Sequence, residues 1–141
     1  GFFVVVKSRG KHPVPSSLLN NIPYFEDTHW FPHTSMTLLK EVNLAITFGS
    51  TVTKECVMLS KPFINFDFKK FKHLDFLKSE NACKTIENYE NIDYNNIVNI
   101  AKNISENDFD DEFNLLRKKY LFDYNPGSVS SKLLDFIENS F

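Results

Sequence analysis

Cysteine is scarce in this chain, with only Cys56 and Cys83 among 141 residues. The two lie in unrelated contexts without CxxC spacing, which excludes a cysteine zinc site and a thioredoxin-like redox motif. Thiols used this way fit a reducing, cytoplasmic setting and inert core positions rather than a disulfide. Long hydrophobic runs are also missing. The longest near the start, Phe2 to Val6, is far shorter than the ~20 residues that span a bilayer and too short for a signal-peptide core. There is no excess of positive charge, since 16 Lys and Arg face 18 Asp and Glu for a net charge of −2. That balance leaves no global basic field for non-specific nucleic-acid binding, so no nucleic-acid partner is expected. Internal repeats, low-complexity linkers, GxGxxG and GxxxxGK patterns and a nucleophile elbow are all absent.

What the chain does have is apolar material. It is 42% hydrophobic with 15 Phe, enough for a core that removes roughly 70% of the unfolded surface from water. Disorder is not expected. The length is that of one domain, residues 1–141. Because Gly1-Phe2-Phe3-Val4 enters an apolar strand with no leader or cap, the domain reads as a piece of something longer.

The periodicity alternates short β-rich runs with helical stretches. Strands are expected at Phe2–Val6, Ile22–Phe25, Leu44–Phe48 and Pro62–Phe66. Helices are expected from Thr34 or Ser35 to Val42, from Thr51 to Leu59, from Ile92 to Ile104 with Ile97, Ile100, Ala101 and Ile104 on one stripe, and from Phe109 to Tyr120 with Phe113, Leu116 and Tyr120 on another. A last amphipathic helix follows the turn Asn125-Pro126-Gly127. Strands and helices at these spacings form βα units, so the class is α/β, a Rossmann-like three-layer α/β/α sandwich with a mainly parallel sheet.

In such a sheet ligands bind beyond the carboxyl ends of the strands. Four loops there carry candidate chemistry. In Phe48-Gly49-Ser50-Thr51-Val52-Thr53-Lys54-Glu55, Gly49 allows close backbone approach, while Ser50 and Thr51 open a helix suited to a phosphate. Glu55, about one turn inward, is placed to accept bonds from ribose hydroxyls. The alternative is an ordinary N-cap with Glu55 pairing Lys54 or Lys61. The loop Lys7-Ser8-Arg9-Gly10-Lys11-His12-Pro13 gathers Lys7, Arg9, Lys11 and His12. It would neutralise a diphosphate leaving group, or else be a solvated basic loop. The aromatic loop Glu26 to Thr34 offers surfaces for a nucleobase, or else Trp30 and Phe31 serve core or interdomain packing. Asp67 to Asp75 would bring His73 and Asp75 towards a sugar or acceptor, or else form a loop whose aromatics cover the sheet edge, and it has no metal-ligand pattern.

Asn43 to Glu55 and Met58 to Asn65, with the closing segment Asn125 to Ile137, resemble the C-terminal, nucleotide-binding half of a GT-B glycosyltransferase. The resemblance is closest to the bacterial surface-polysaccharide enzymes grouped near CDP-glycerol glycerophosphotransferases and UDP-N-acetylglucosamine 2-epimerases. It rests on a hydrophobic strand, a Gly/Ser turn, a helix bearing Glu, and a Pro before the next strand, with an ending similar to DGxxSxRIxDFI. This chain departs from the pattern in its Gly49-Ser50-Thr51 order and in a longer aromatic loop at His29 to His33.

The resemblance implies that Gly49, Ser50 and Thr51 bind a diphosphate, that Glu55 binds the ribose, and that His12 stands near the donor phosphates. It implies a UDP- or CDP-type sugar donor, no required cofactor or metal, a glycan or lipid-linked acceptor, and a partner N-terminal lobe. The whole enzyme would build surface polysaccharide in the cytoplasm, at the inner face of the plasma membrane. A single lobe holds half a donor site and is not expected to turn over substrate alone. Two other functions stay open, a nucleotide-sugar 2-epimerase lobe and a non-catalytic Rossmann-like interaction module.

Overall fold

The computed structural model describes residues 1–27, 33–70, 81–88, 90 and 92–121, together with positions 131, 134, 135 and 137. The chain divides into two compact units, Gly1–Leu38 and Leu39–Phe141.

In the first unit, β1 (Val6–Arg9) pairs in parallel with β2 (Tyr24–Asp27), with a 3-10 turn at Ser16–Leu18 between them. Both strands lie further along the chain than the sequence suggests. The expected strand Phe2–Val6 is corrected to Val6–Arg9, and Phe3 is 83% exposed. The reason lies in the pairing. Pro23 has no N–H to give to a ladder, but its carbonyl accepts from Val6 N at 2.9 Å, so both strands start at this point. The Tyr24 hydroxyl then fixes the register through Ser8 Oγ at 2.6 Å, the Val14 N–H at 3.4 Å and Glu26 Oε2 at 3.3 Å. Asn20 and Asn21 turn the chain between the strands with φ of 26° and 68°, values that Asn tolerates better than most residues.

In the second unit, β3 (Ala45–Thr47), β4 (Phe63–Phe66) and β5 (Cys83–Ile86) form one parallel sheet in that order. The helices are α1 (His33–Glu41), which enters this unit at Leu39, α2 (Val52–Met58), α3 (Tyr94–Ser105) and α4 (Asp110–Tyr120). Strand residues alternate between faces. On one face Ala45, Phe63 and Cys83 pack with Leu39 of α1, Cys56 and Val57 of α2, and Phe113 and Leu116 of α4. On the other, Ile64, Phe66 and Ile86 pack with Ile97, Ile100, Ala101 and Ile104 of α3. Helices therefore cover both faces of a parallel sheet, which is the expected α/β/α sandwich. The helical stripes read from the sequence in α3 and α4 are the ones buried.

Local chemistry sets the helix ends. Asp93 caps α3 by accepting from Asn95 N at 3.1 Å. α2 stops in a Schellman turn, with Lys61 N on Cys56 O at 2.8 Å and Ser60 N on Val57 O at 3.3 Å. There Ser60 takes φ 52°, where glycine is usual. Arg117 of α4 secures this end, donating from Nη1 to Val57 O at 3.2 Å and to Ser60 Oγ at 2.6 Å. Its cation lies where a helix C-terminus favours positive charge. Pro62 follows and keeps the helix from continuing.

β5 has no counterpart among the expected strands, because Cys-Lys-Thr-Ile is too short and mixed to show a period. The expected single sheet is instead two sheets among the described residues. Residues 122–130, which hold the turn Asn125-Pro126-Gly127, lie outside the described residues, while positions 131, 134, 135 and 137 beyond it are helical.

Two neighbours in α4 test this packing. Phe113 is buried and Leu115 is 68% exposed. Phe113→Ala should lose ~3–5 kcal/mol in urea unfolding, whereas Leu115→Ala should shift stability by less than ~0.5 kcal/mol.

Candidate functional site

The carboxyl ends of β3 and β4 and the start of α2 hold a group of buried polar side chains. Thr47, Asn65, Asp67 and Thr53 are all buried, Asn65 with only 2% exposure. Burying an amide costs several kcal/mol unless its hydrogen bonds are made. Here Asn65 Oδ1 accepts two of them, from Thr47 Oγ1 at 2.8 Å and from the Gly49 backbone N–H at 3.0 Å. One buried amide oxygen thus joins β4 to the end of β3 and fixes the turn that follows.

That turn needs its glycine. Gly49 has φ 58°, in the left-handed region that costs an L-residue ~1–2 kcal/mol. Ser50 then opens α2. Its carbonyl accepts from Thr53 twice, from the backbone N at 3.2 Å and from Oγ1 at 3.0 Å, and its Oγ accepts from Val52 N at 3.3 Å. Thr51 stands at the N-cap position but makes no side-chain cap bond, and it is exposed. Among the described residues, none accepts the backbone N–H of Ser50 or of Thr51. α2 is only seven residues long, so these local donors matter more than any helix dipole. The site can offer backbone and hydroxyl donors to an anion across a turn of fixed shape.

Glu55 lies in the first turn of α2, half-buried, with Oε2 carrying almost no accessible surface. Beside it, burial pushes the Cys56 thiol up to about 12, with Cys83 and then Glu55 adding to the effect. Neither Cys56 nor Cys83 is in a disulfide, and both are buried. A thiol held this far above neutral pH is a packing group and not a nucleophile.

The other sequence candidates fall elsewhere. Lys7 and Arg9 are corrected from a loop to strand positions within β1, because the β1–β2 pairing runs through them: Lys7 is in register with Phe25 and Arg9 with Asp27. His12 closes a turn just after the strand, its N–H donating to Arg9 O at 2.9 Å. All three belong to the first unit, Lys7 and Arg9 in the β1–β2 sheet and His12 in the turn after it, whereas Gly49, Ser50, Thr51 and Glu55 belong to the second. The expectation that both loops share one sheet edge is therefore corrected, since β1 and β3 pair with different strands. His73 and Asp75, and the aromatic loop at 28–32, lie outside the described residues.

Asn65 escaped the sequence reading. The available signal was a lone amide inside the apolar run Pro62-Phe63-Ile64-Asn65-Phe66, since a buried polar side chain demands partners. Among the described residues no group of three or more His, Cys, Asp or Glu side chains is placed to hold a metal ion. No described helix is long and apolar enough to cross a membrane. Comparison with known proteins returns no matching family model, no matching curated protein and no matching solved structure.

Two measurements probe this site. Asn65→Ala strands the buried Thr47 hydroxyl and the Gly49 N–H, so chemical denaturation should show a loss of ~2–4 kcal/mol, larger than the ~1–2 kcal/mol expected for Gly49→Ala. The raised Cys56 thiol favours its protonated form in the folded state. The unfolded thiol, near 9, loses its proton first, so this contribution is intact below pH 9 and lost as pH rises towards about 12. Stability measured across that window should fall less steeply in Cys56→Ala than in the natural chain.

Proposed function

We propose that the second unit is the donor-binding lobe of a glycosyltransferase-like enzyme that takes a nucleoside-diphosphate sugar, with the diphosphate held at Gly49-Ser50-Thr51. The observation that carries this reading is the turn pinned by Asn65. Its left-handed glycine, two backbone N–H groups without an acceptor among the described residues, and two adjacent hydroxyls occupy the carboxyl edge of a parallel sheet. Anion sites of this kind bind through donors fixed before the ligand arrives, which lowers the ordering cost of binding. Glu55, one turn along α2, supplies a carboxylate for the ribose hydroxyls.

The resemblance of Asn43 to Asn65 to surface-polysaccharide glycosyltransferases supports the same reading and supplies its substrate class, a UDP- or CDP-type sugar. Transfer to a glycan or lipid-linked acceptor would need further groups, so this lobe binds the donor and leaves the chemical step to the complete enzyme. The reading rests on the second unit alone and assigns no role to Lys7, Arg9 or His12.

Calorimetric titration of the chain with UDP, CDP and GDP should show saturable binding by at least one of them. Ser50→Ala and Glu55→Ala should each weaken it by about tenfold, the worth of one charge-assisted hydrogen bond. Since Ser50 Oγ also accepts from Val52 N, thermal melts must confirm that the variant is folded. No binding by any of the three to the folded natural chain would refute the proposal.

A further inference from the structure

Beside this turn lies an aromatic surface that diphosphate binding does not use. Phe48, immediately before Gly49, is 72% exposed. Its ring stacks on Phe66 with centroids 5.4 Å apart and planes 17° from parallel. Phe66 in turn meets Phe68 at 5.8 Å. Ile46, two residues back along β3, is 50% exposed. Leaving a Phe ring in water forgoes part of the gain of burying it, and here one face of Phe48 is left open at the sheet edge where ligands bind.

Strand alternation fixes the side on which this row lies. Ala45, Thr47, Phe63 and Asn65 face the layer of α2, while Ile64 and Phe66 face the layer of α3. Stacked on Phe66, Phe48 is on the α3 side. Glu55 is carried by α2, so the aromatic row and Glu55 belong to opposite faces of the sheet with the Gly49 turn between them. A nucleoside-diphosphate sugar has the same order, with nucleoside and sugar ring on either side of the diphosphate.

We propose that Phe48, backed by Phe66, is the subsite for the pyranose ring of the donor. This rests on the diphosphate reading above. A pyranose presents several C–H groups, slightly positive, on one face, and these match the negative π face of an aromatic ring. Ile46, Phe48, Phe66 and Phe68 bring no charge to the row, which suits an uncharged ring face and not a second anion. The stack on Phe66 holds Phe48 in one orientation before the sugar arrives.

The experiment compares bare and sugar-bearing nucleotides on the full chain: UDP with UDP-glucose, CDP with CDP-glucose and GDP with GDP-mannose. In Phe48→Ala, affinity for the sugar nucleotide should fall about fivefold, the worth of one ring contact. Affinity for the bare diphosphate should be unchanged, and Phe48→Tyr should restore the sugar-dependent part. An equal loss for both ligands would assign the ring to the nucleoside and overturn the proposal. So would no loss for either. Failure of every ligand to bind the natural chain would instead bring down the diphosphate reading itself, and this one with it.

Discussion

The second unit depends on burying one strand, β4, from both sides. Phe63 faces the layer of α1, α2 and α4, and Ile64 faces α3. Neither core can form without that strand between them, and neither face alone would bury it. A short parallel strand contributes little by its own hydrogen bonds, so its position is held by the side chains packed against it. Deep burial of Phe63 and Ile64 is accordingly the term against which every other feature of this unit is measured.

The same burial gives Asn65 its role. In a strand closed to water an amide must find partners within the protein, and those available lie on β3 and in the turn after it. Asn65 therefore converts core rigidity into a fixed loop shape. The order runs from packing to polar network to turn, and only then to any ligand. On the rear side Arg117 does a related job, holding the end of α2 and thereby the connection into β4. α2 is thus anchored at both ends although it has only seven residues.

Much of this was legible in the sequence, and the successes share a cause. The stripe Ile97, Ile100, Ala101 and Ile104, and the stripe Phe113, Leu116 and Tyr120, repeat often enough to reveal which side is buried. The misses also share one. Phe2–Val6 has strand composition, yet the strand forms at Val6–Arg9 because Pro23 and Tyr24 decide where pairing starts. β5 is only four residues long and mixed in character. Lys7 and Arg9 looked like a loop because charge and a following glycine are local signals, whereas strand pairing is not.

The sequence by itself determined the α/β class, the helical stripes and the chemistry available at Gly49, Ser50, Thr51 and Glu55, since these follow from residue type and short-range spacing. Tertiary structure decided that the strands form two sheets and not one, that Lys7 and Arg9 lie in a strand, and that Asn65 holds the Gly49 turn. Each of those outcomes depends on a partner 16 or more residues away along the chain. No local pattern encodes such a partner, because it is chosen by what the folded chain can bury together.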